Sequence, residues 1–335
     1  VEANGLLKMD FLGLRTLTVI QNAVRFVKES QGIDIHIDHI DFDDKKVLEF
    51  IGTGKTEGVF QLESGGMKGF MKELKPESLE DIIAGISLYR PGPMDFIPKY
   101  IRGKNDSTSI TYDCPQLEEI LSPTYGCIVY QEQVMQIVRD LAGYTMGRSD
   151  LVRRAMSKKK ASVMAKERQN FVYGNPEENV AGCVANGISE EIANKIYDEM
   201  TDFAKYAFNK SHAACYAVVA YQTAFLKCYY PVEFMAALMT SIIDNTDKLL
   251  EYISECCNLD ISKKKIVVYI GNYGGHGRYI TEQLLKMNKG LDIVWIVKHW
   301  SIEHPDEVRL IYEGNWKKYI LEMETAHIWI YDIIV

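Results

Sequence analysis

The sequence has no cysteine pair at C-x-x-C spacing, no apolar run long enough for a bilayer, and no internal repeat. Each lack removes a class. The seven cysteines, at 114, 127, 183, 215, 228, 256 and 257, are odd in number and scattered. That argues against zinc modules and disulfide scaffolds and for a reducing, cytoplasmic setting. The longest apolar run, Ala213–Leu226, is broken by Tyr216, Tyr221, Gln222 and Thr223 and falls short of the roughly 20 residues a span needs. It reads as a buried helix, and no membrane span is expected. The chain opens on Val-Glu-Ala-Asn, with neither a basic stretch nor an apolar h-region, so no signal peptide is expected; the missing initial Met reads as the mark of a fragment. What is present is ordinary for a folded soluble protein: 335 residues, 47% apolar, 25% charged, and 38 basic against 46 acidic side chains for a net charge of −8. At roughly 100 to 200 residues per domain, about two or three domains fit.

The pattern along the chain is mostly helical. LLKMDF, from Leu6, reads as a strand whose period of two puts Lys8 and Asp10 on one face. From Arg15 to Ser30 the spacing of Leu17, Ile20, Val24 and Val27 is helical. Asp43 and Asp44 open a further helix, KKVLEFIG, with acids at the positive end of its dipole. MKGFMKELK and ESLEDIIAGISLYR follow, the latter stopped by Pro91 and Pro93. QLEEILS, QEQVMQIVRDLAGY, DLVRRAM, ASVMAKERQNFVYG, SEEIANKIYDEMTDFA and HAACYAVVAYQTAFLKCYY continue the helical style, the last ended by Pro231, and Leu249–Cys257 closes it. After Lys263 the character changes. IVVYI, DIVWIV, EVRLIY and HIWIYDIIV read as strands alternating with helical RYITEQLLKM and NWKKYILEMETA, a βαβ pattern that predicts a parallel sheet. Some 70 residues are few for a doubly wound domain, and the segment reads as cut short.

Several motifs have a bland reading beside the functional one. GTGKT at 52–56 lacks the P-loop glycine, because Glu49 stands at that place, and a turn after a helix explains it. His36, Asp38, His39 and Asp41 alternate with isoleucines as the solvated face of a strand, not as metal ligands. Residues 151–170 hold seven Lys or Arg against one Glu inside an acidic chain. Such a cluster suits a polyanion, with the planar forks of Arg153 and Arg154 suited to bidentate phosphate contact; the alternative is a solvated basic helix. FNKSHAACYA at 208–217 sets Asn209, Lys210, Ser211 and His212 ahead of an apolar helix. That end can receive a phosphate or sugar, or simply be capped by Asn209 or Ser211. RPGP at 90–93 and YQEQVM at 130–135 show no chemistry by spacing, only a rigid turn and a helix start. GNYGGHG at 271–277 lies between a strand and a helix, as nucleotide loops do, but its spacing is not the dinucleotide fingerprint.

Together these segments carry a resemblance. LLKMDFLGLRTLTVI, GVFQLESGGMKGFMKELKPESLEDIIAGISLYRPGP, PTYGCIVYQEQVMQIVRDLAGYTMGRSDLVRRAMSKKK and FNKSHAACYAVVAYQTAFLK resemble, in order, the bacterial replicative DNA polymerase III alpha subunit over about residues 1–258. The resemblance implies the end of a polymerase palm at 1–20, a short β remnant, followed by mostly α fingers at 21–260. It implies template-directed nucleotidyl transfer from dNTPs with two Mg2+ ions, Asp10 being one of three metal-holding, catalytic aspartates. It further implies that Lys8, Arg153, Arg154, Lys158, Lys159 and Lys160 meet dNTP or DNA phosphate, and that Asn209, Ser211 and His212 line the nucleotide pocket. Primer–template DNA, dNTPs and other replisome subunits are the implied partners. No Asp-x-Asp stands ahead of Asp10, so this polypeptide is expected not to extend primers alone.

The tail resembles another family. KKKIVVYIGNYGGHGRYITEQLLKMNKGLDIVWIVKH and EVRLIYEGNWKKYILEMETAHIWI are similar to the start of CDP-glycerol glycerophosphotransferases of teichoic acid synthesis. That implies a truncated α/β, Rossmann-like half of a GT-B-type fold at 261–335, without the family's later catalytic histidines. A junction between unrelated coding segments, natural or from sequence assembly, is expected near 260. The rival readings are a nucleic-acid or nucleotide-binding module without turnover, and a glycerophosphotransferase fragment.

Overall fold

The computed structural model describes residues 5, 9, 13–157, 161–204, 208–242 and 245–259, and the strands at 266–270 and 293–297. The strand expected at Leu6, the glycine loop at 271–277 and the segments EVRLIY and HIWIYDIIV lie outside the described residues. The described helices are α1 (Arg15–Gln31), α2 (Lys45–Gly52), α3 (Gly65–Leu74), α4 (Leu79–Leu88), α5 (Ile97–Asn105), α6 (Pro115–Leu121), α7 (Gln131–Ala142), α8 (Met146–Ser157), α9 (Ala161–Tyr173), α10 (Glu190–Ala204), α11 (Lys210–Tyr229), α12 (Pro231–Ser241) and α13 (Thr246–Asn258). The strands β1 (Ile266–Ile270) and β2 (Ile293–Val297) pair in parallel, Ile266 opposite Ile293. None of the described helices is long and apolar enough to cross a membrane.

Local chemistry sets the ends. Asp44 Oδ1 accepts the amides of Lys46 and Val47 at 2.8 and 3.4 Å, so α2 starts on the acid read from the sequence. After α2 the chain turns through Gly54, whose φ of 67° is left-handed and whose added Cβ would lie 2.9 Å from the Lys68 carbonyl oxygen. GTGKT is therefore a turn. Two expectations need correction. Residues 33–41 form no strand: Ile37–His39 is a short 3₁₀ turn, held by Gln222 on the Ile37 carbonyl and the Tyr221 hydroxyl on that of Asp41. The isoleucine alternation there reflects packing, as Ile35 and Ile37 lie against the core. The α1 stripe is also rotated from the expected one. Val19, Ile20, Ala23, Phe26 and Val27 are buried while Leu17 is exposed.

The chain forms two compact units. One comprises the described residues up to Asp41, Lys55–Glu63, and those from Val219 on; the other comprises Phe42–Gly54 and the described residues of Ser64–Val218. In the first, Val19, Ile20, Ala23 and Phe26 of α1 pack with Phe234, Met235 and Leu238 of α12 and with Leu249, Tyr252 and Ile253 of α13. In the second, Val134, Ile137, Val138 and Leu141 of α7 meet Val152 and Met156 of α8, Phe171 of α9, and Ile196, Tyr197 and Met200 of α10. A buried ion pair stands in each. In the second unit, Lys104 of α5 reaches Asp81 of α4 at 2.9 Å, both side chains nearly inaccessible.

The first unit is tied together by Lys227 of α11, whose side chain is 0% exposed. Its ammonium donates to Glu255 at 2.7 Å and to the carbonyls of Glu57 and Lys55 at 2.8 and 3.1 Å, so it pins the 55–63 segment to α11 and α13. Burial pulls its pKa below the ordinary lysine value, against the attraction of Glu255. Removing one partner of such a pair strands the other charge. Lys227→Met is therefore expected to destabilise the chain by about 3 to 5 kcal/mol. Urea unfolding checks it: a midpoint unchanged from wild type contradicts the expectation.

Candidate functional site

The site grows from the start of α7. Gln133 is buried, and its side-chain oxygen accepts the amides of Val129 and Tyr130 at 2.8 and 3.0 Å. Its amide nitrogen donates to the Ile120 carbonyl at 3.2 Å and the Thr124 hydroxyl at 2.8 Å. Such a satisfied buried amide fixes the backbone at Tyr130. From there Tyr130 forms a parallel bridge with Phe208, the Gln131 amide donating to the Phe208 carbonyl at 2.9 Å. The first turn of α7 thus lies beside the entry to α11.

Glu132 then closes onto α11. Its carboxylate accepts the Lys210 backbone amide at 3.0 and 3.1 Å and the Asn209 side-chain amide at 2.9 Å. The Asn209 side-chain oxygen accepts the His212 amide at 2.8 Å, so the capping reading of Asn209 holds. A carboxylate thereby already sits at the positive end of the 20-residue helix. Phosphate capture by these amides, the other sequence reading, meets an occupied end. What α11 leaves outward are side chains: Ser211 and His212 are exposed, His212 stacks on Tyr216 at 4.3 Å, and its edge meets Phe208 at 5.3 Å. The Arg90 guanidinium lies 3.6 Å from the Phe208 ring centre, where burial lowers its pKa. Lys210 Nζ pairs with Glu80 at 3.0 Å.

The basic segment joins this cluster from α8. Val152 and Met156, one turn apart, are buried and anchor the helix. Arg153 is 21% exposed; its Nη2 donates to Asp150 at 2.7 Å and its Nη1 to the Gln131 side-chain oxygen at 2.8 Å. Arg154, 61% exposed, shares the same Asp150 at 2.7 Å. Further along, Lys166 pairs with Glu178, and Arg168 with Asp198. The positive charge of 151–170 is thus partly cancelled on α9, whereas on α8 two guanidinium groups share one carboxylate. The structure brings Arg153 together with the Asn209–His212 cluster through Gln131. Lys8, Asp10, Lys158, Lys159 and Lys160 lie outside the described residues. Among the described residues no group of three or more His, Cys, Asp or Glu could hold a metal ion, so they offer no donor set for the Mg2+ expected through Asp10.

The ordered run of segments from α1 through α9 matches a family model, "Bacterial DNA polymerase III alpha subunit finger domain", over residues 16–179. Residues 16–179 belong to the finger-domain family of the bacterial DNA polymerase III alpha subunit. It is 51% identical over 266 residues to the DNA polymerase III subunit alpha of Thermus aquaticus, covering 78% of this chain and 21% of that protein. The subunits alpha of Pseudomonas aeruginosa and Bacillus subtilis are 46% and 45% identical over 78% and 76% of this chain, each match covering 22% of the relative. The chain thus spans about a fifth of the length of the curated relatives it matches.

Within this polymerase finger domain, spacing alone missed Arg90, Gln131 and Glu132. RPGP and YQEQVM read as a turn and a helix start, and they are both. Their polar side chains find partners far away in sequence, at Phe208, Arg153 and Lys210. Only the unbroken polar triplet Gln131-Glu132-Gln133 at a helix start offered a signal, three residues with three separate directions. The Asp150 carboxyl is held below the ordinary aspartate value, chiefly by the Arg153 hydrogen bond, against a smaller desolvation cost and with help from Arg154. With its folded pKa lowered, its contribution to stability is present above the unfolded value and lost as pH falls through the folded one. An NMR titration of the Asp150 side chain is expected to give a midpoint below 3.8, and Arg153→Leu to move it upward. A midpoint unmoved by that substitution contradicts the pairing.

Proposed function

We propose that the unit carrying α8 and the start of α11 binds the phosphates of dNTP and primer–template DNA as the fingers of a DNA polymerase III alpha subunit. The supporting observation is the single cluster of Arg153, Gln131, Glu132 and Asn209, which joins the basic helix to the FNKSH segment within one unit. Arg153 and Arg154 share the Asp150 carboxylate, and Arg forks suit bidentate phosphate contact. Ser211 and His212, exposed beside them, supply a hydroxyl and an imidazole to the sugar or phosphate. Lys158–Lys160 are proposed to add to the positive field of this unit, and Lys8 and Asp10 are assigned to the proposed palm at 1–20, the fingers running from 21 to 260. Mg2+ is the cofactor the family resemblance implies. Replisome subunits and a cytoplasmic setting complete this reading.

For 261–335 the second reading is a Rossmann-like half of glycerophosphotransferase type. The parallel pairing of β1 with β2 supports a βαβ unit there. Calorimetric binding of CDP-glycerol by the chain is its test, and no binding removes it.

The polymerase reading is tested by equilibrium binding of the full chain to a labelled primer–template at about 50 and 200 mM salt. Affinity is expected to fall steeply with salt, and Arg153→Ala with Arg154→Ala to flatten the slope by roughly one for each phosphate no longer neutralised. No binding at low salt removes the reading.

A further inference from the structure

Arg153 is held from two sides. Its Nε and Nη2 both reach Asp150 Oδ1, at 2.9 and 2.7 Å, from its own helix, while Nη1 reaches the Gln131 side chain at 2.8 Å from α7. A guanidinium is planar, so partners on separate helices fix both its position and its plane. The two partners differ in charge. Asp150 already divides one carboxylate between Arg153 and Arg154, and a second acid would cancel the field a polyphosphate needs. Gln131 supplies an acceptor oxygen and no charge.

Gln131 is itself immobilised. Its backbone amide is committed to the Phe208 carbonyl at 2.9 Å, and the residues on either side are fixed by other partners. Tyr130 donates its amide to buried Gln133, and Glu132 holds the Lys210 amide and the Asn209 side chain. The first turn of α7 therefore sets one spacing between the α8 guanidinium and the entry to α11.

We infer that Gln131 is a positioning residue for polyphosphate binding, acting through Arg153 by orienting its guanidinium without neutralising it. The inference rests on the proposed role of Arg153. Loss of an oriented, charge-assisted hydrogen bond is worth on the order of tenfold in affinity.

The test is calorimetric binding of inorganic tripolyphosphate to the full chain and to Gln131→Leu, Arg153→Ala and the double variant. Gln131→Leu is expected to weaken binding about tenfold in the wild-type background and to have no further effect beside Arg153→Ala. A general loosening of the fold would instead weaken both backgrounds alike, and that result overturns the inference. So does an unchanged affinity for Gln131→Leu while Arg153→Ala binds more weakly, which leaves the Arg153 reading intact. Tripolyphosphate binding absent from wild type, or unaffected by Arg153→Ala, overturns both. Should Gln131→Leu fail to fold, Gln131→Glu decides: it keeps the acceptor and adds a charge, so it is expected to bind tripolyphosphate more weakly, most of all at low salt. Undiminished binding by that variant overturns the inference.

Discussion

The carboxylate of Glu132 on the Lys210 amide is the contact on which the site's geometry depends. It ties the first turn of one helix to the first turn of another 78 residues later. An acid at a helix N-terminus is worth about 0.3 to 1 kcal/mol when exposed, and up to about 2 when partly buried. Modest in energy, it is decisive in register. With the α11 entry held there, Phe208 comes under Arg90, and His212 falls between Phe208 and Tyr216. The same contact takes up the Lys210 amide at the start of α11, where Ser211 and His212 are left exposed.

Much of the helical order was legible because it rests on local rules. α2 began on Asp44 and α7 on the residue after Tyr130, as caps and periodicity require. α12 was hidden by the rule that proline ends helices. Pro231 follows the end of α11 and also stands at the first position of α12, where its missing N–H costs nothing. α5 was hidden by its content of Pro98 and Gly103 among Lys99, Arg102, Lys104 and Asn105. Gly103 is required by packing, since a Cβ there would lie 2.8 Å from the Tyr125 carbonyl oxygen. At 33–41 a period of two existed in the sequence, but among the described residues no strand pairs with it, and a 3₁₀ turn formed.

The site was legible only in part, for a related reason. Arg153, Arg154, Asn209, Ser211 and His212 could be singled out by charge, by position at a helix start and by family resemblance. The residues that join them could not. Gln131 meets Arg153 across 22 positions, and Arg90 meets Phe208 across more than a hundred. A glutamine, a glutamate and an arginine in a proline turn have no spacing signature, because their partners are set by the fold. Even the capping alternative for Asn209 was half the answer: it caps, and Glu132 caps with it.

Lys227 illustrates what bulk composition hides. Among the 38 basic residues it is wholly enclosed, with its ammonium shared among Glu255 and two carbonyl groups. An amine in that state presents no lone pair to an acylating reagent and has no path to meet one. It becomes chemically visible only when the unit around it opens. The rate at which this one lysine takes up an acyl group is therefore a clock for opening of the 55–63 segment from α11, readable in a chain whose surface lysines have long since reacted.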